Sequence, residues 1–531
     1  MIRLQDIKLP LDGTEQDVLA KVAAILHLAP KQIQKMVLVK RSLDARKKND
    51  LHFIYTVDIT IGKQEKQILA KTRSAKIQKA PDYHYEPPKA IKKPPLRPVV
   101  VGSGPAGLFA TLVLAQAGLE PILLERGKDV AARQQDVEHF WHTGCLNPES
   151  NVQFGEGGAG TFSDGKLTTG TKDPRIRQVL QEMVACGAPA DILYLAKPHI
   201  GTDQLRIFVA NFRQKLISYG AEIRFQHRLS DLFFERGMLQ EIAVTTPTTT
   251  YRLPTNQLIL AIGHSARDTF RLLEATGVPL ATKSFSLGAR IEHQQSWLNQ
   301  QQYGDFANHP ALGAADYKLA CHLANGRSAY TFCMCPGGFV VAAASQPHAI
   351  TTNGMSYHAR NGSNANSALL VGVNPTDFPD EGPLAGMYWQ EAIEKAAFQA
   401  GGSTYHAPAQ RVADFLANRP SQAFGHIQPT YQPGVTPGAL QDFLPSFVIQ
   451  TMQEALVELE RRLPGFAAPD ALLTGPETRS SSPVRILRGS DGQSPCRGLF
   501  PAGEGAGYAG GIISAATDGM RAAEALITSL S

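Results

Sequence analysis

The chain has 531 residues, 43% hydrophobic and 19% charged, with 47 Gly and 35 Pro, enough for three or four compact units rich in tight turns and excluding a stapled mini-fold or a disordered chain. Its net charge of +5 gathers at the start, where residues 1–95 hold 19 Lys and Arg against 10 Asp and Glu; such an excess suits nucleic acid, anionic lipid or an acidic partner, or is a solvated tether. The six cysteines (Cys145, Cys186, Cys321, Cys333, Cys335, Cys496) form no disulfide framework and no zinc spacing, so no metal is expected, and without a signal h-region or about 18 consecutive apolar residues the expectation is a cytoplasmic protein away from membranes.

In chain order, MIRLQDIKL alternates like a strand, DGTEQDVLAKVAAILHL has helical periodicity, and KMVLVKRSL and HFIYTVDIT read as strands. Residues 1–70 are expected to form a small basic α/β appendage, and the Lys/Pro-rich residues 71–96 a stiff extended linker. PVVVGSGPAGLFATLVLAQAGLEPILLER then runs buried strand, glycine turn, apolar helix and second strand. DQLRIFVANFRQKLISYG reads as a helix, AEIRFQ as a strand, LSDLFFERG and MLQEIAVTT as a hairpin, and NQLILAIGHSA as a strand entering a turn. Residues 280–440 mix Gly, Asn, Pro and aromatics with short strands such as GGFVVAAAS, and the last stretch, 441–531, carries the amphipathic helices SFVIQTMQEALVELERRL and GMRAAEALITSL.

The run Gly102-Ser103-Gly104-Pro105-Ala106-Gly107 spells G-x-G-x-x-G between a strand and a helix. The first glycine permits the tight turn, the second lets backbone N–H groups approach a pyrophosphate, and the third lets helix pack on strand. The helix N-terminus adds free donors and partial positive charge. Glu125 ends the second strand, where a carboxylate accepts hydrogen bonds from a ribose 2′-OH. FAD and NAD both suit such a site. Gly155, Gly157 and Gly160 repeat the spacing, but they follow NVQF and precede TFSDGKL, so they are expected in a loop and not in a second dinucleotide fold.

Several stretches together resemble the glutathione-reductase-type FAD fold, and more closely an uncharacterised bacterial family of FAD-dependent dehydrogenases with an N-terminal appendage. They are VVVGSGPAGLFA, LLERG with Arg126 and Arg133, SNVQFGEGGAGTFSDGKLTT, LILAIGHSARDT, TFCMCPGG, ETRSSSPVRI and GLFPAGEGAGYAGGIISAATDG. The resemblance implies an α/β fold: a Rossmann-like FAD-binding domain in two parts, 97–279 and 441–531, with a mixed α+β substrate or cap domain inserted at 280–440. It implies non-covalent FAD, with Ala261, Ile262 and Gly263 near the dinucleotide and Gly503 and Glu504 at the ribityl chain, Glu standing where Asp is usual. It further implies that Gly157, Gly158, Thr161 and Ser163 touch the pyrophosphate or the ring. Gly511, Ile512 and Ile513 would aim N–H groups at the flavin N1/C2=O edge and stabilise its reduced anion.

The chemistry this implies is FAD-dependent oxidoreduction, a hydride passing between flavin N5 and a small molecule. A rival reading is an RNA-directed flavoprotein whose basic N-terminal unit holds nucleic acid, although Phe53, Tyr55, Tyr83 and Tyr85 make no recognised RNA signature. No second strand-glycine-helix unit follows residue 130, so NAD(P)H enters only as a transient electron donor. Lys166 is either a flavin-side cation or a solvated turn lysine. Cys333 and Cys335 are either a redox dithiol or small hydrophobes. Arg479 and Arg485 either fork onto a substrate carboxylate or pair with an acid such as Glu477. His264 and Arg267 are proton donor and anchor, or His264 caps a helix start; His293 and Tyr508 are weaker acid/base candidates.

Overall fold

The computed structural model describes residues 1–90 and 93–530; residues 91 and 92, inside the expected linker, lie outside the described residues. The appendage runs β1 (Ile2–Pro10), α1 (Glu15–Ile25), β2 (Lys35–Asp44), β3 (His52–Thr60), α2 (Glu65–Lys71) and β4 (Ile77–Lys79), with sheet order β2-β3-β1-β4. This is the βαββαβ arrangement of ferredoxin-like units. Thr14 starts α1 by a reciprocal cap: its N–H donates to the Asp17 carboxylate at 2.8 Å, and its hydroxyl accepts the Asp17 N–H. Alternate residues Ile2, Leu4, Val57 and Ile59 turn to one face and pack with Val18 and Val22 of the helix. The strand β4 lies within the segment expected to be linker and pairs antiparallel with β1; three residues of weak alternation among lysines carry too little pattern to announce a strand. The Arg41 N–H donates to the Tyr194 carbonyl at 2.7 Å, joining the appendage to the body.

The body continues with β5 (Val99–Val101), α3 (Pro105–Gln116), β6 (Ile122–Glu125), α4 (Val130–Thr143), α5 (Arg175–Ala185), α6 (Thr202–Ser218) and β7 (Glu222–Phe225). A meander follows, β8 (Arg228–Glu235), β9 (Met238–Thr245) and β10 (Thr250–Pro254), and then β11 (Leu258–Leu260), α7 (Arg267–Ala275) and β12 (Leu280–Thr282). The mixed region contains β13 (Phe285–Gln294), α8 (Gln295–Tyr303), β14 (Ala320–His322), β15 (Ser328–Cys335), β16 (Phe339–Ala342), β17 (Thr352–Met355) and β18 (Asn364–Val373). It goes on through α9 (Ala385–Ala400), β19 (Ala407–Arg411), α10 (Val412–Leu416), β20 (Val435–Pro437), α11 (Ser446–Arg462) and β21 (Leu472–Glu477). The chain closes with β22 (Val484–Ile486), β23 (Leu499–Pro501) and α12 (Ile512–Ser529).

A parallel sheet of order β23-β11-β5-β6-β7 forms the centre, its three middle strands buried and apolar but for Glu125 at the end of β6, because helices or the meander cover both faces. The other large sheet has order β14-β15-β18-β13-β21-β19-β20. It includes residues up to 477, and α11 buries Val448, Met452, Leu456 and Leu459 in its core. The mixed region therefore runs past residue 440, the boundary expected from sequence; an amphipathic helix shows which face is apolar, not which sheet it will cover. Helices α3 and α12 lie against each other so closely that a Cβ on Gly519 would collide with the Ala106 carbonyl.

Candidate functional site

The turn after β5 shows why its glycines are glycines. Gly102 adopts φ +98°, and a Cβ on Gly107 would collide with the Gly102 carbonyl. Gly104, which caps α3, is different: a Cβ there would meet only the Gly158 Cα, at 3.8 Å. Two glycines are thus required by packing, while the second would tolerate a methyl in ordinary contact with the Gly158 backbone. Among the described residues, none accepts the N–H of Gly104, Ala106 or Gly107, the donor set that an anion at a helix N-terminus uses.

Glu125, expected to take a ribose hydroxyl, is already filled. One oxygen accepts the Ser103 N–H at 2.9 Å and hydroxyl at 2.7 Å; the other accepts the N–H groups of Gly127 and Gly155, both at 2.9 Å. Four donors occupy the roughly four lone-pair positions of a carboxylate, and the group is only 4% exposed. Its role in this structure is to tie the loop 151–158 to the fingerprint turn. Arg133, also expected at the cofactor, serves the same loop from inside: fully buried, it donates to the carbonyls of Asn151, Val152, Gly155, Glu156 and Gly158. Burial pushes its guanidinium down to about 10. The Gly157 N–H donates to the Ser103 carbonyl at 2.9 Å, and the Gly158 and Gly104 backbones lie face to face. The hydroxyls of Thr161 and Ser163 bond the Glu156 and Gly160 carbonyls within their own turn, at 3.3 and 2.6 Å. Arg126 bridges Glu149 and Asp268 and covers the Phe154 ring at 4.0 Å. It lines a cavity of about 320 Å³ with Gly127, Gln226, Arg228, Thr245 and Thr246, just beyond β6 and β7.

A second helix start meets the first. The Gly503 N–H donates to Asp518 at 2.8 Å, and Asp518 is itself paired with Arg488, two residues that sequence reasoning missed. A Cβ on Gly503 would stand 2.7 Å from the Ala106 Cβ, and one on Gly505 would strike the Gly263 carbonyl, so 503–505 spans both turns. Helix α12 opens after Gly511, where, as at Gly263 and Gly510, a Cβ would meet nothing within 4 Å. Ala106, Ala261 and Ala515 form a small buried cluster between the two helix starts, and a Cβ on Gly160 would stand 3.3 Å from Ile512. Two glycine-opened helix ends, one with backbone N–H donors that no described residue accepts, fit a dinucleotide with a phosphate end and a polar ring end. Beside them, His264 Nδ1 stands 3.7 Å from Glu504, while its Nε2 is buried without a partner among the described residues. Burial and Arg485 push Lys283 down, opposed by Glu504, which places these three charges near one another. Arg485 also stacks on Tyr508.

Other candidate groups separate. Arg479 donates to both oxygens of Glu394, at 2.9 and 2.7 Å, and Arg267 does the same at 2.7 and 2.8 Å. All three are buried, so Arg479 and Arg267 are committed to each other's carboxylate and not to a substrate. Burial would raise Glu394, yet the two guanidiniums hold it well below the usual carboxylate range. Glu477, the expected partner of Arg479, pairs with Arg290 at 3.1 Å. His293 is buried, bonded to the Phe466 carbonyl at 2.7 Å and stacked on Trp297, a core histidine. Tyr508 is occupied by Arg488, whose guanidinium lies 3.9 Å above its ring. Lys166, Cys333 and Cys335 do meet: the Lys166 ammonium donates to the Met334 carbonyl, between the two cysteines, and to Asp164 at 2.7 Å. In the appendage Phe53 and Tyr55 belong to the core and Tyr85 donates to Glu524 at 2.9 Å, so these three are engaged within the protein, while Tyr83 lies against Arg3 and stays exposed. No helix among the described residues is long and apolar enough to cross a membrane.

Residues 284–480 match the family described as FAD-dependent protein, C-terminal domain-like, and residues 1–60 match a domain of unknown function. Among solved structures, a variant of the Escherichia coli quinol fumarate reductase FrdA is 12% identical over 82% of this chain and 70% of its own, with a TM-score of 0.35. The glycerol-3-phosphate dehydrogenase of Bacillus halodurans, complexed with FAD, is 12% identical over 83% and 66%, with a TM-score of 0.34. Scores of that size carry no argument. An uncharacterised protein of Clostridium beijerinckii is 46% identical over 530 residues, 99% of this chain and 98% of its own. The chain thus belongs, with that protein, to a family of FAD-dependent proteins that carry an N-terminal appended domain.

Proposed function

We propose that this protein is an FAD-dependent oxidoreductase that exchanges a hydride with a small molecule. The observation that carries the reading is the meeting of two helix starts, α3 after Gly104 and α12 after Gly511, across Ala106, Ala261 and Ala515, with free N–H donors at the first and nothing within 4 Å of a Cβ at the second. The free N–H groups of Ala106 and Gly107 would hold the pyrophosphate, and the 320 Å³ cavity beside Arg126 and Arg228 would take the adenosine end. The first turn of α12 would meet the ring and favour its reduced anion through the helix dipole. When bound, FAD supplies hydride exchange at its N5. Gly503 and Gly505, packed on Ala106 and Gly263, would bring the Glu504 carboxylate and the His264 imidazole to the ribityl side. NAD(P)H, if it donates, would dock without a glycine fingerprint of its own.

FAD-loaded protein followed anaerobically on addition of NADH, then NADPH, then a panel of small organic donors tests the reading. Bleaching of the flavin by any of them supports an oxidoreductase and identifies its donor. A flavin that dithionite reduces but no metabolite does would sink turnover and leave a flavin-binding protein.

A further inference from the structure

Lys166, Cys333 and Cys335 stand within a larger set of charges. Asp164, 3% exposed, accepts Lys166 at 2.7 Å and Arg360 at 2.9 and 2.6 Å, so one carboxylate serves two cations. Arg290, fully buried, pairs with Glu477 at 3.1 Å, donates to the Cys333 carbonyl at 2.6 Å and lies 3.8 Å from the Cys335 sulfur. Three cations therefore face Asp164 and Glu477; Glu292, which Arg290 also reaches, is pushed up by burial towards its neutral form and is held by Thr430 and Asn364, so the cations outnumber the charged carboxylates paired with them. His199, which stacks on His358, adds none: burial and Arg360 push it down to about 4, and it is neutral at pH 7. A donor is in surplus as well. Asn366 accepts the Arg290 Nε–H at 2.8 Å through its oxygen, and its amide nitrogen, on a residue fully buried, has no partner among the described residues. A surplus cation and a surplus buried donor both call for an acceptor with negative charge.

Cys333 borders this cluster: its carbonyl accepts Arg290, and Lys166 and Arg290 both act on its thiol. Met334, Cys335 and Pro336 are buried, but Cys333 is exposed, because β15 bulges against β18 between Phe332 and Cys335 and Cys333 takes φ +42°. A bulge of this kind re-aims a side chain. The loop carrying Arg360 is pinned to the turn after Cys335, where a Cβ on Gly337 would strike the Arg360 carbonyl. Gly160 packs on Ile512 and the Thr169 hydroxyl lies 2.8 Å from that of Ser514, so the stretch that carries Lys166 meets the first turn of α12 on both sides of the lysine.

We propose that Lys166, Arg290, Arg360 and the Asn366 amide form an anion site walled by the Cys333 thiol, and that the small molecule this oxidoreductase handles binds there through a carboxylate. The anion site stands on the protein's own charges; only its use by a substrate rests on the flavin reading.

The test labels full-length protein with iodoacetate and, separately, with iodoacetamide, and follows each cysteine by peptide mass spectrometry. Cys145, the other exposed cysteine among the described residues, is the internal reference. The iodoacetate-to-iodoacetamide rate ratio at one thiol cancels its thiolate fraction, which matters because burial of its surroundings pushes Cys333 up to about 12. The expected ratio at Cys333 exceeds that at Cys145 by about fivefold or more, the effect of one unit charge at contact distance in water. It should shrink with added NaCl, fall towards the Cys145 value in Lys166→Gln and recover in Lys166→Arg. Equal ratios at the two thiols of the wild-type protein, or a Cys333 inert to both reagents while Cys145 is labelled, would overturn the anion site. A raised ratio in a protein that retains no FAD would overturn the flavin reading alone, and a raised ratio with flavin reduced only by uncharged donors would overturn the carboxylate substrate alone.

Discussion

The Gly155 N–H donates to Glu125 at 2.9 Å, on the carboxylate whose other oxygen holds Ser103. One side chain thereby fastens a loop thirty residues away onto the fingerprint turn. Glu125→Gln keeps the shape but puts an amide NH₂ against backbone N–H donors, so apo protein should lose about 2–3 kcal/mol of unfolding free energy. Denaturant melts of the FAD-free protein check this; an unchanged midpoint would return Glu125 to a purely ligand-binding role.

Gly104 and Gly107 should separate folding from binding. Gly107→Ala drives a methyl into the Gly102 carbonyl and should destabilise by about 3 kcal/mol or prevent soluble expression. Gly104→Ala has room, so it should cost only about 0.5–1 kcal/mol at the helix cap while loosening FAD by about tenfold or more. Thermal melts and FAD titrations on the same samples measure both effects.

Arg133→Lys replaces five donors with at most three facing the same five carbonyls. The expected outcome is a loss of about 2–3 kcal/mol and early protease cleavage within residues 151–158, which a limited-digestion time course reads directly.

Glu394→Gln leaves two buried guanidiniums without their counter-charge and should cost about 3–5 kcal/mol at pH 7. The wild-type carboxyl lies below its unfolded value, so its contribution is complete above the ordinary carboxylate range, about pH 4.3, and fades as the pH falls through and below that range. The stability gap between wild type and variant should narrow steadily from pH 5 downward, as urea melts across that range would show.

What the sequence made legible was short-range. The fingerprint from Gly102 to Gly107 could be read because strand, turn and helix follow within a dozen residues, and the decoy at Gly155 was recognisable from its flanks. Partner choice was not legible. Arg479 sits two residues after Glu477 in the chain, yet it pairs with Glu394 in the middle of α9, because the buried face of that helix is where the fold brings both arginines. Arg133 carries no local sign that five carbonyls will surround it. The exposure of Cys333 follows from a bulge and a left-handed backbone, and strand alternation alone would have placed Cys333 and Cys335 on one face. In the appendage, the alternation that marks Phe53 and Tyr55 as strand residues also sends them inward, into its core.

The most direct test of the central claim is FAD retention by purified full-length protein. After incubation with FAD and gel filtration, close to one equivalent of flavin per chain is expected, with a perturbed visible spectrum, released unmodified on heat denaturation and lost in Gly104→Ala. A folded protein with an unchanged melting curve that retains no flavin would contradict it.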